Sequence, residues 1–312
     1  MSLILALLCK IVYAIHHKDE LLACFLYFEK EMINLMIGKP GDEAISIVPK
    51  DILAETDSYK LYLGRGENTA EAMLCRVVKD KALNGKMFAE YRLLGKLKEL
   101  SDDLEAERIA RQGDDGRKIH YDWLFPVCEQ SFSAAELDCR RVNVFRILDA
   151  SMDDFIPFAK LRASVKVDAK SAAWVLGRFL KLQAFLDESK SCHCFDFNPD
   201  MVLVAPKTHR VVYLGWFDEL VRGGDRSTER SELISRLNIN RMFDAIYSWV
   251  EKNDELGEDE FLNWLNESLD RFMSGFEAHV AYYNFLDELW GCGYHPFTFN
   301  KDGVWKSTKN YV

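Results

Sequence analysis

Apolar and polar positions change their period several times along the chain, and each change marks an element. Residues 2–37 are rich in apolar side chains and read as two helices broken near His16-His17-Lys18-Asp19. The second carries Leu21, Cys24, Phe25, Phe28 and Met32 at helical spacing, and Lys39-Pro40-Gly41-Asp42 ends it. Tyr59 to Leu63 reads as a strand, Gly64-Arg65-Gly66-Glu67-Asn68-Thr69 as a loop, and Glu71 to Val78 as a second strand. Asn84 to Leu100 then shows a helical stripe of Met87, Leu94 and Leu97. Glu90 lies in phase with that stripe, three residues after Met87 and four before Leu94. The charged run from Ser101 to Lys118 is predicted to be an exposed loop.

Tyr121 to Cys128 and Val142 to Leu148 read as strands separated by a polar hairpin, and Ser151 to Phe158 leads into a second half. There Asp168 is a candidate N-cap for a helix over Ala169 to Asp187, with Val175, Phe179, Leu182 and Leu186 facing inward. Two short apolar runs, Met201 to Val204 and Val211 to Leu214, flank turn chemistry at Pro206 to Arg210 and predict a hairpin. Beyond Ser231 the period is helical, over Ile239 to Lys252, Glu258 to Ser274 and Glu277 to Leu289. Glu258-Asp259-Glu260 opens a helix, where negative charge suits the dipole, so a capping role is expected in preference to a metal site. The aromatics of Trp290-Gly291-Cys292-Gly293-Tyr294-His295-Pro296-Phe297 are expected to dock the tail. No internal repeat or low-complexity segment is evident.

Composition narrows the classes. The chain has 312 residues, 48% hydrophobic and 29% charged, as in ordinary globular proteins of one large domain or two lobes. A net charge of −10, with no long basic run, argues against nucleic acid as the main partner. Eight cysteines are scattered without a disulfide framework, which suits a reducing, cytoplasmic setting. Met1 to Ile15 lacks a positive n-region, carries Lys10, and is too short to span a bilayer. A buried packing helix is expected there, with a targeting or membrane-surface role as the alternative. No transmembrane segment is expected.

The order of helix, loop and hairpin around Cys192 to Phe217 resembles the catalytic loop and metal-binding hairpin of the protein-kinase-like fold. In that resemblance Asp196 falls on the catalytic Asp. Met201, five residues on, falls on the metal-binding Asn, and Gly215-Trp216-Phe217 falls on Asp-Phe-Gly. Gly64 and Gly66 fall on the nucleotide-covering glycine loop, whose third glycine is Thr69 here. Arg76 or Lys79 would stand for the nucleotide-binding Lys, although the segment looks one strand shorter than a full kinase lobe. Glu90 would be the partner of that cation, or else a boundary glutamate at the edge of the stripe.

The implied fold is α+β and two-lobed: a helical N-terminal extension (1–50), a small β-rich lobe (51–150) and a helical lobe (151–312). The hairpin Pro199-x-x-Val202-Leu203-Val204…His209-x-Val211-Val212-x-x-x-Trp216 and the tail Leu289-x-Gly291-x-x-x-x-Pro296-Phe297 are similar to divergent kinase-like proteins of bacteria and their phages. Some of those sit beside J-domains, but no His-Pro-Asp occurs in this chain.

The departures from the pattern set the functional expectation. Met201 has no hard oxygen for magnesium and Gly215 has no side chain, so the metal positions are degenerate and no cofactor is expected. The resemblance then implies a pseudokinase-like binding or regulatory protein whose partner is another protein. The alternative is an unorthodox phosphotransferase using ATP and magnesium, with Asp196 as base and Asp218, three residues past Gly215, as a shifted ligand. Trp216-Phe217 is expected to be fixed against the helix carrying Glu90, with the cleft partly closed to ATP. Cys192-His193-Cys194 lacks a second ligand pair, so packed thiols are expected ahead of a zinc site or a nucleophile with His193 or His209 as base.

Overall fold

A computed structural model describes residues 47–308, apart from 67–70, 115–117, 135–136, 152–153, 190–194, 219–227, 254–255, 292 and 294. The expected N-terminal helices, His16-His17 and Cys192-His193-Cys194 lie outside the described residues. Five antiparallel strands form the first sheet: β1 (Ile47–Glu55), β2 (Tyr59–Gly66), β3 (Glu71–Val78), β4 (Val127–Ala134) and β5 (Arg140–Ser151). Their spatial order is β1-β2-β3-β5-β4.

The strand β1 was not legible in the sequence, and with it the sheet has the strand that the segment seemed to lack. Pro49 and two register shifts, between Pro49 and Asp51 and between Ile52 and Ala54, break its alternation. An edge strand tolerates both, because one side of its ladder is unpaired. It also spans residue 50, where the sequence suggested a boundary.

Between β3 and β4 runs one long helix, α1 (Asn84–Gln112), which continues well past Leu100. The sequence pattern suggested a loop there because the apolar stripe ends. The extension is a solvated helix laced by Lys98–Asp102, Glu105–Arg108 and Glu107–Arg111 pairs at three- or four-residue spacing. The predicted strand from Tyr121 divides into a short 3-10 turn at Tyr121–Trp123 and the later start of β4.

The second half follows as β6 (Ile156–Pro157), α2 (Phe158–Ser164), β7 (Lys166–Val167) and α3 (Ala169–Glu188). Then come β8 (Val202–Ala205), β9 (Arg210–Tyr213), α4 (Thr228–Tyr247), α5 (Glu258–Glu267) and α6 (Gly275–Trp290). Asp168 caps α3, its carboxylate accepting from the Ser171 amide at 2.7 Å. The Glu258 carboxylate accepts from the Asn253 amide at 3.0 Å, just ahead of α5.

After Phe297, which is buried, the hairpin β10 (Thr298–Lys301) and β11 (Val304–Ser307) pairs with β7. Its turn places Asp302 and Gly303 at positive φ, the Asp-Gly hairpin signal that the sequence reading passed over. One continuous apolar core runs from the inner face of the first sheet into α1, α3 and α4. A second cluster of Tyr62, Met73, Cys75, Val77, Val142 and Val144 lines the opposite face of the sheet. Among the described residues, no helix is long and apolar enough to cross a membrane.

Candidate functional site: a filled cleft between sheet and hairpin

The loop that carries Asp196 is held from below by α4. Asn238 donates to the Phe195 carbonyl at 3.0 Å, and its side-chain oxygen accepts from the Phe197 amide at 2.8 Å. It also donates to Gln183 at 3.0 Å, whose own amide reaches Ser235 at 3.1 Å. Ser235 in turn donates to Asp187 at 2.7 Å, and Asp187 accepts from the Gly275 amide at 2.5 Å. Every member of this buried relay finds a partner, the condition under which a polar network fixes one geometry. The sequence reading missed it, though a signal was present. Ser235 and Asn238 sit in phase with Met242 and Ile246 on the buried stripe of α4.

Asp196 itself is partly exposed, and its carboxylate forms an ion pair with Arg241 of α4. Its backbone carbonyl accepts from the Tyr213 hydroxyl at 2.7 Å. A carboxylate proposed as a base is therefore paired with a guanidinium that the sequence pattern did not single out.

Across the cleft, the strand and the long helix meet through Arg76 and Glu90, a fully buried ion pair. The second Glu90 oxygen accepts from Asn143 at 3.0 Å, and the same Asn143 amide donates to the Met87 carbonyl at 2.8 Å. Lys79 takes no part. It lies at the surface, 2.8 Å from Glu55. Between the two candidate cations, the structure brings Arg76 to Glu90.

Arg76 also reaches out of the sheet. It donates to the Leu214 carbonyl at 2.5 Å, and its guanidinium carbon lies 4.6, 5.6 and 5.8 Å from the ring centroids of Tyr59, Phe145 and Phe217. Burial pulls its pKa below the usual arginine range, opposed by the nearby Tyr59 and Asp218. A guanidinium keeps its charge all the same. Tyr59 crosses the same gap: its hydroxyl donates to Asp218 at 3.0 Å and lies 3.8 Å from the Met201 sulfur. Burial raises the phenol well above its ordinary pKa, so it is a hydrogen-bond donor at any physiological pH.

The glycine pair is elsewhere. Gly64 and Gly66 lie within β2, opposite Pro49 and Ile47 of β1, instead of in a loop. The first two strands are joined by Thr56, Asp57 and Ser58, with the Thr56 hydroxyl accepting from the Ser58 and Tyr59 amides at 3.2 Å. The connection between β1 and β2 is thus a short Thr-based turn without glycine.

Met201 and Gly215, which the kinase-like resemblance sets at metal positions, offer none of the oxygen ligands that magnesium takes. Met201 is buried and turns its thioether to Tyr59. At Gly215 a Cβ would meet the Tyr213 hydroxyl at 2.2 Å and its ring carbon Cζ at 2.6 Å. That ring is held by its bond to the Asp196 carbonyl and by contacts with Phe195 and Trp216, at 4.6 and 5.2 Å between centroids. The space for an aspartate is therefore occupied. Gly215→Asp is expected to cost about 1–3 kcal/mol through overpacking, without creating a metal site. Chemical denaturation and a magnesium titration of that variant check this. Wild-type stability with magnesium binding would show that Tyr213 yields.

Trp216 and Phe217 are both 0% exposed, but they face different partners. Trp216 packs against Phe125, Phe195 and Tyr213 and donates to the Tyr213 carbonyl at 2.8 Å. Phe217 meets Tyr59 edge-on at 5.3 Å. Both belong to the apolar core that also holds Met87, Leu94 and Leu97 of the Glu90 helix; Phe217 lies beside Arg76, the partner of Glu90, and Trp216 packs beneath the hairpin. Among the described residues, no group of three or more His, Cys, Asp or Glu is placed to hold a metal ion.

A five-stranded antiparallel sheet has one helix between its third and fourth strands, and a buried cation–Glu pair joins helix to sheet. A helix, loop and hairpin then lead into a helical half. This order of elements is the one that the kinase-like resemblance of the sequence predicts. Among solved structures, the chain is similar to the PknI kinase domain of Mycobacterium tuberculosis, at 12% identity over 77% of this chain and 95% of that one, with a TM-score of 0.45. A second PknI kinase domain structure gives 13% identity over 79% and 96%, with a TM-score of 0.44. Rad53 residues 1-466, solved in complex with AMP-PNP, gives 10% identity over 75% of this chain and 60% of that one, with a TM-score of 0.44. No family model and no curated protein matches the sequence.

Proposed function

We propose that this chain is a kinase-like binding or regulatory protein that acts by contact with another protein and does not transfer phosphoryl groups. One observation carries the reading: the gap between sheet and hairpin is bridged and filled by the chain's own side chains. Arg76 reaches the Leu214 carbonyl, Tyr59 reaches Asp218 and the Met201 sulfur, and Phe217 packs on Tyr59. Phosphoryl transfer works by positioning a phosphate and its metal ions, with little covalent chemistry left to the protein. The two metal positions lack oxygen ligands. Asp218, the substitute ligand of the enzyme reading, already accepts from Tyr59, and Asp196 is paired with Arg241. What is kept is a frame, and a frame can present surface to a partner.

The test is a thermal-shift titration with ATP, with and without magnesium, beside an assay for phosphoryl or AMP transfer by the purified protein. A ligand that binds only the folded state raises apparent stability by about 2.7 kcal/mol at a hundred times its Kd. The expected result is no magnesium-dependent shift and no transfer. Magnesium-dependent stabilisation together with transfer that Asp196→Ala abolishes would instead establish the phosphotransferase.

A further inference from the structure

The helix α3 is buried on nearly every side. From Ser171 to Leu186 the only positions that are not buried are Trp174, Arg178 and Lys181, at the four- and three-residue steps of one helical face. The core of the helical half therefore surfaces along one stripe, and that stripe carries two cations in a chain of net charge −10.

Its flanks come from two other elements. On one side His209, at the β8–β9 turn, stacks on Trp174 with ring centroids 4.6 Å apart. On the other, α6 brings His279 and Tyr283, whose rings meet edge-on at 4.7 Å. The Tyr283 hydroxyl lies over Gly177, the residue before Arg178, 2.9 Å from where a Cβ would stand. At the far end Lys181 donates to the Ile119 carbonyl and lies 5.1 Å from the Tyr121 ring centroid.

Arg178 is the residue without a counterpart. No hydrogen bond or ion pair to it is present among the described residues, although Asp122 and Glu105 act on Lys181 one turn away. Burial, with Arg178 and His295 acting in the same direction, lowers the pKa of His209 to about 4. Burial likewise lowers His279 to about 4, reinforced by Lys181 and Arg178. Both rings are therefore neutral near pH 7, the His279 Nε2 has no hydrogen-bond partner among the described residues, and the positive charge of the stripe is that of Arg178 and, in part, of Lys181, whose pKa burial lowers to about 8.

We infer that Arg178, with Lys181, Tyr283, His209 and His279 around it, forms an anion subsite for a phosphate monoester dianion. A guanidinium fork matches two phosphate oxygens, and the second cation and the ring and hydroxyl donors suit the remaining oxygens. The ligand chemistry is the phosphoryl group itself, whether free in solution or carried on a phosphoserine side chain. The inference is independent of the filled cleft and of whether the chain transfers phosphate.

Histidine NMR tests it on the full chain, with inorganic phosphate and a short phosphoserine peptide as probes and chloride at equal ionic strength as control. An anion beside Arg178 favours protonated imidazole, so phosphate is expected to raise the pKa of both His209 and His279 while chloride does not. Arg178→Gln should weaken the effect roughly tenfold or more, as for loss of a charged hydrogen-bond partner. Arg178→Lys, which keeps the charge, should retain part of it, and this holds the test if the glutamine variant folds poorly. Tighter binding of the peptide than of inorganic phosphate would assign the site to a phosphorylated segment; equal binding would assign it to small phosphates. Histidine titrations that are identical in phosphate and chloride, or that respond to phosphate equally in Arg178→Gln, overturn the inference.

Discussion

Glu90→Ala is expected to destabilise the fold by about 3–5 kcal/mol, because it leaves the Arg76 guanidinium buried without its anion. Arg76 is 1% exposed and Glu90 0%, so water cannot replace the lost carboxylate without opening the sheet–helix contact. Two further groups lose a partner in that variant. Asn143 no longer finds the Glu90 oxygen, and the Leu214 carbonyl depends on the position that Glu90 gives to Arg76. Against a typical total of about 5–15 kcal/mol, that is a large share.

Urea unfolding measures it: the midpoint should fall with little change in slope. The double variant Arg76→Met, Glu90→Leu should recover much of the loss, since apolar side chains of similar size often replace a buried pair at little cost. If the double variant is stable but loses the contact between sheet and hairpin, the pair serves to hold the cleft filled. A single Glu90→Ala variant with an unchanged midpoint would sink the account.

Trp216→Ala is expected to cost about 3–5 kcal/mol as well, by a different route. The indole is fully buried between Phe125, Phe195 and Tyr213, and its N–H is satisfied by the Tyr213 carbonyl. Truncation opens a large cavity and frees the Tyr213 ring. That ring fills the space beside Gly215 and bonds to the Asp196 carbonyl. The loss should therefore appear in stability and in the order of the Asp196 loop together. Urea unfolding reads the first, and amide hydrogen exchange over residues 195–217 reads the second. A near-wild-type melting temperature would falsify the placement of Trp216 in the core and cast doubt on the whole hairpin alignment.

Much of the frame was readable in advance because it is written in local period. The stripe of α3, its Asp168 cap and the β8–β9 hairpin follow from spacing within one or two turns of chain. So does the inward phase of Glu90 on α1. That Met201 and Gly215 offer no oxygen ligand was also readable, since their identity alone settles it.

What the sequence could not decide were relations between segments. Arg76 and Lys79 stand three residues apart, and an odd step along a strand points the two side chains to opposite faces. Which of them meets Glu90 depends on which face α1 covers, and only strand pairing settles that. The glycine pair looked like a loop because β1, broken by Pro49, was invisible. Asn238 and Arg241 are more than forty residues from the loop they hold, and no spacing rule links them to Asp196. The space beside Gly215 looked free in one dimension. In three it belongs to Tyr213, because the turn of the backbone after β9 brings that ring back across it.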